Sequence, residues 1–98
     1  MFVGMAAFDL LLHDASTLKQ KRSVVRPIVA EVQRRFAVAV SETGHHDLYR
    51  RTQIGVAVVS GAPAHCTEVL DSVERFLAAR PEADLIAAQR QLRSIDDE

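Results

Sequence analysis

Only one cysteine, Cys66, occurs among the 98 residues, which excludes an intramolecular disulfide. No apolar run approaches the roughly 20 residues needed to cross a bilayer. The N-terminus does not combine a basic region, a long apolar stretch and a small-residue cleavage site, as a secretory leader would. Together these absences predict a cytoplasmic protein with no membrane partner. Gly4, Gly44, Gly55 and Gly61 are scattered, so there is no glycine-rich phosphate loop. Paired carboxylates, a nucleophile with its base, and a metal-ligand set are missing as recognisable constellations. The expectation is a non-enzymatic protein with no catalytic residues, no cofactor and no metal.

A hydrophobic content of 48% suits a single core. One domain is expected over residues 1–95, followed by an acidic tail at 96–98. The net charge of −1 conceals an uneven distribution. Residues 1–60 carry eight basic and five acidic side chains, and residues 61–98 carry four and eight, giving +3 and −4. Such polarity would steer an anionic partner to one end, or let two copies pack with opposite ends together.

The central stretch is Ser16 to Phe36, STLKQKRSVVRPIVAEVQRRF. Steps of 100° gather Val24, Val25, Ile28, Val29, Val32 and Phe36 on one side, with Leu18 at the leading edge. Lys19, Arg22, Arg26 and Arg34 form a stripe on the other side. From Ser16 to Arg35 there are six cations, these four with Lys21 and Arg35, against Glu31 alone, a local charge of +5. Asp14, Ser16 or Thr17 can cap the start, which places Lys19, Lys21 and Arg22 at the positive end of the helix dipole. Exposed cations there cost about 0.3–1 kcal/mol each, whereas a phosphate would suit both the free N–H groups and the side chains. Pro27 either bends the helix or delays its regular start to about Arg26. In the second case the Lys19–Arg22 cluster belongs to a loop.

Phe2 to Leu12 reads as a strand apolar on both faces, with Phe2, Ala6, Phe8, Leu10 and Leu12 on one side and only Asp9 polar on the other, so both sides are expected to be buried, as in an interior strand. Ala37–Glu42 and Thr52–Ser60 read as further strands, joined by an extended hairpin. A second amphipathic helix starts near Pro63 and stops near Arg80, with Cys66, Val69, Leu70, Val73, Phe76 and Leu77 at helical spacing. Propensity favours a helix for the last segment as well. Topology argues otherwise, because β-α-β-β-α leaves a sheet that a strand at Leu85–Leu92 would complete. The expected fold is α+β and ferredoxin-like, β-α-β-β-α-β, with a four-stranded antiparallel sheet carrying two helices on one face. Apolar and small residues on the other face predict a homodimer through the sheets.

Several motifs in order, S-T-L-K-Q-K-R-S-V-V-R, R-R-F, H-H-D-L-Y-R-R and G-V-A-V-V-S, resemble the YlxP-like family, domain of unknown function 503, of bacteria. The resemblance runs to about Ala88. Thr17, inserted between Ser16 and Leu18, and the acidic tail depart from its pattern. It implies a ferredoxin-like fold and a genetic neighbourhood shared with translation and ribosome-maturation genes, including ribosome-binding factor A. No established activity comes with it.

The remaining candidate residues have a structural reading beside a functional one. His45 and His46 match no ligand spacing, His13 and His65 are isolated, and Cys66 belongs to the apolar stripe of the second helix. In the hairpin, His46, Asp47 and Tyr49 adjoin Arg50 and Arg51. Tyr49 could stack on an unpaired base while the arginines meet phosphate. Alternatively, Asp47 pairs with an arginine and Tyr49 packs at a dimer contact. The expected function is binding of RNA or a ribosomal particle through Lys19, Lys21, Arg22, Arg26 and Arg34, with Arg50 and Arg51 as a second contact. The alternative is a regulatory module docking a partner protein or a small anion. Nothing in these residues implies DNA specificity.

Overall fold

The computed structural model describes residues 1–95, so the acidic tail expected at 96–98 lies outside the described residues. The elements are β1 (Phe2–Leu12), α1 (Leu18–Phe36), β2 (Ala39–Gly44), β3 (Arg51–Ser60), α2 (Pro63–Ala78) and β4 (Ala83–Ser94). Period-two alternation decides the inward face of the central strands. Ala6, Phe8, Leu10 and Leu12 of β1 and Ile54, Val56 and Val58 of β3 are buried. Against them lie Val25, Ile28 and Val32 of α1 and Cys66, Leu70, Val73 and Leu77 of α2, all in one core. Gly4 permits the close approach of α2, since a Cβ there would stand 3.0 Å from the Cys66 Cβ.

The sheet order is β2-β3-β1-β4, antiparallel throughout, which is the ferredoxin-like arrangement. The last segment is a strand despite its helical propensity, because eleven residues of β1 pair with it, the register shifting by one residue between Asp9 and Leu10. The outer face of β1 differs from expectation. Val3, Ala7, Asp9 and Leu11 are only half-buried and Met5 is exposed, since no helix covers that side.

Strand β2 begins two residues later than the sequence suggests. Ala37 ends α1 in the left-handed conformation (φ 50°), reversing the chain before Val38 enters the core. Pro27 does not interrupt α1, which is continuous from Leu18. Lys19 and Arg22 are therefore helical residues rather than parts of a loop.

Candidate nucleic-acid interface

The start of α1 is built from three neighbouring side chains. The Thr17 hydroxyl accepts from the Gln20 backbone N–H (3.1 Å), and Gln20 Oε1 accepts from the N–H and the hydroxyl of Ser16 (2.8 and 2.7 Å). This is a variant of the Thr-x-x-Gln capping box, its return bond displaced by one residue. A neutral glutamine takes the place a glutamate often fills, so the first turn contains no acid. The dipole's positive end thus keeps its charge and adds to that of the cations beside it.

Lys19, Arg22 and Arg26 stand at i, i+3 and i+7, one row along the outside of α1 about 10 Å long. All three are exposed. Ser23 and Pro27 complete a shallow depression between them. Arg22 and Arg26 also overhang a groove whose far wall is Val40, Ser41 and Glu42 of the edge strand β2.

The other described cations are mostly engaged. Glu31 pairs with Arg34 (3.5 Å) and Arg35 (3.6 Å), Glu82 with Arg80, and Asp71 and Glu74 with Arg90. Asp71 and Glu74 of the second helix are thus held by Arg90 of β4. Among the described residues, Lys19, Arg22 and Arg26 make no ion pair, side-chain hydrogen bond or ring contact.

Lys21, counted above with the surface cations, is 2% exposed. It follows the same i, i+4, i+7 spacing as Val25 and Ile28 and so faces inward. Its Nζ lies 3.0 Å from Glu42 Oε2 and donates to the backbone carbonyl of His45. Thr52 donates to the same Glu42 oxygen at 2.6 Å. Burial pushes the Glu42 pKa up, but the hydrogen bonds from Thr52 and Lys21, with the charges of Lys21 and His46, outweigh it and hold the pKa below its ordinary value. Lys21 is an anchor for the β2–β3 loop and no part of the surface.

That anchor brings the two expected contacts to one end of the molecule. The loop is also tied to β1, where Leu12 N–H donates to the Arg50 carbonyl (2.7 Å) and Arg50 Nε to the Leu12 carbonyl (3.1 Å). Leu48 and Tyr49 project outward, Tyr49 being 49% exposed. The expected pairing of Asp47 with Arg50 or Arg51 does not form among the described residues.

His45 and His46 diverge. His45 Nε2 lies 3.6 Å from Asp9 Oδ1, beyond hydrogen-bond distance, and His46 Nε2 lies 3.3 Å from the Glu42 carbonyl. Arg51 sits apart on the helix-free face, half-buried, its Nε shut off from solvent without a hydrogen-bond partner. Elsewhere, His13 pairs with Asp84 (3.1 Å), His65 is exposed on α2, and Cys66 is fully buried in the core. No group of three metal-ligating side chains occurs among the described residues.

Comparison with known proteins agrees with the resemblance. The family described as "Protein of unknown function (DUF503)" matches residues 3–90. The chain belongs to this family. Its relative YlxP of Bacillus subtilis, described as uncharacterised, is 35% identical over 82 residues, covering 84% of this chain and 89% of that protein. Among solved structures, a de novo designed protein with a ferredoxin fold superposes with a TM-score of 0.54 at 14% identity, over 99% of this chain and 88% of that one. A mutant of SnoaB, a cofactor-independent oxygenase from Streptomyces nogalater, gives a TM-score of 0.48 at 12% identity, over 99% and 95% of the chains. At such identities the first likeness bears on fold alone and the second carries no functional inference. No helix among the described residues is long and apolar enough to cross a membrane.

Proposed function

We propose that this DUF503 protein is a non-enzymatic RNA-binding module, acting on RNA or a ribosomal particle in the cytoplasm, with the row Lys19, Arg22 and Arg26 as its principal contact. One observation carries the reading: three adjacent exposed cations that pair with no acid among the described residues, beside a helix N-terminus whose first turn has no acid. Such an arrangement costs stability in the free protein and is relieved by a polyanion. Tyr49 and Arg50, at the same end, add a stacking surface and a further cation for an unpaired nucleotide. Arg34, half-neutralised by Glu31, and Arg51, on the other face, are secondary at most.

Sedimentation of cell extract through a sucrose gradient tests the proposal. Wild-type protein should comigrate with ribosomal particles and move to the top after ribonuclease treatment. Arg22→Glu combined with Arg26→Glu should stay at the top while its circular dichroism is unchanged. Comigration retained by the double variant would rule out the row. Association that survives ribonuclease would favour a protein partner instead.

A further inference from the structure

The helix-free face of the sheet points to a second use of the fold, independent of the cationic row. Register pairing sets out this face row by row. At its centre Met5 lies beside Ala57 and Ala39, and Ala7 beside Gly55 and Ser41. These side chains are small or apolar, and they form an open trough across β1, β3 and β2. Gly55 leaves room for Thr43 to lie over it, because a Cβ there would stand 2.5 Å from Thr43 Cγ2. On β4 the same rows continue as Gln91 and Gln89, polar but uncharged. Two exposed apolar side chains, Met5 at 37% and Val59 at 63%, stand on this face with nothing packed over them.

We infer that a second copy of this chain covers the face, sheet against sheet. Charge argues for a copy of itself over a nucleic acid. The pairing places two acids (Asp9 and Asp84) and two bases (Arg51 and Arg93) on the face, three of them in its end rows and Asp9 in the row beyond Ala7, so it is neutral overall and its Met5 and Ala7 rows are uncharged. Such a surface meets its own image without net repulsion, and it offers a polyanion nothing.

Size argues the same way. Four strands at about 4.8 Å spacing and about nine residues of about 3.4 Å rise project roughly 600 Å². The accessible area of a pleated face with side chains exceeds its projection, approaching the about 800 Å² per partner of a standard stable interface. The packed dimer would put α1 of each copy on opposite outer sides, leaving both cationic rows open to solvent.

Sedimentation equilibrium on the purified full chain decides the matter. The wild type is expected at twice its 10.8 kDa chain mass at low micromolar concentration. Val59→Lys, at a position too exposed to disturb the core, and separately Met5→Lys should each shift the chain toward monomer, weakening association at least about tenfold with an unchanged circular dichroism spectrum. Arg22→Glu with Arg26→Glu should remain dimeric, so loss of RNA binding and loss of the dimer are separable. A monomeric wild type at about 1 mM, or a dimer untouched by both lysine variants, would overturn the inference.

Discussion

A lysine with almost no exposure, held by a carboxylate that a threonine also grips, is the most consequential single residue outside the core. Removing one partner of a buried ion pair leaves the other uncompensated. Lys21→Met should therefore cost about 3 kcal/mol in urea unfolding, whereas Lys19→Met, two residues away on the outer face, should stay within about 0.5 kcal/mol of wild type. Because the Glu42 pKa is depressed in the fold, its charge contributes stability above the ordinary value of 4.5 and loses that contribution as pH falls through the folded value. The stability gap between wild type and Glu42→Gln should be full near neutral pH and close in acid, and a gap unchanged down to about pH 2 would contradict this account. Tyr49→Ala should weaken RNA binding by about tenfold without measurable change in unfolding midpoint, since base stacking on an aromatic is worth about 1–3 kcal/mol. The inward turn of Lys21 was legible in its spacing from Val25 and Ile28, but its charge argues for the surface. Its partner Glu42 is distant in sequence, so only the fold reveals the pair.

At the level of elements, hydrophobic periodicity located β1 to the residue and both helices within about two, because each has an apolar face of regular spacing. What periodicity could not supply was the sharp reversal at Ala37 or the closing strand's length, which follows from pairing with β1 rather than from its own composition. The left-handed φ of Ala37 is one that glycine adopts without penalty, so Ala37→Gly should raise stability by roughly 0.5–1 kcal/mol, the gain reduced by the greater freedom of the unfolded chain. A destabilised variant in thermal unfolding would show that the strain at this cap is offset by contacts of the Ala37 methyl. The outer face of β1 looked doubly buried in sequence because small apolar residues suit an interior strand and an open sheet face equally well.

Across the whole molecule, charge is partitioned by face. Asp71 and Glu74 of α2 are satisfied by Arg90 of β4, the sheet's open side is neutral on balance, and among the described residues a row of three adjacent cations without an acid partner runs along the outside of α1. The sequence made the count of cations on α1 plain. It could not show that Lys21 is already neutralised, because its partner Glu42 meets it only in three dimensions. The most direct test of the central claim is the salt dependence of binding to a single-stranded RNA oligonucleotide, measured for wild type and for the variant with Lys19, Arg22 and Arg26 all changed to Gln. Each phosphate neutralised contributes about −0.7 to the slope of log K against log salt. Removing three such contacts should flatten the wild-type slope by about 2, and equal slopes for the two proteins would contradict the claim that these three side chains meet the backbone.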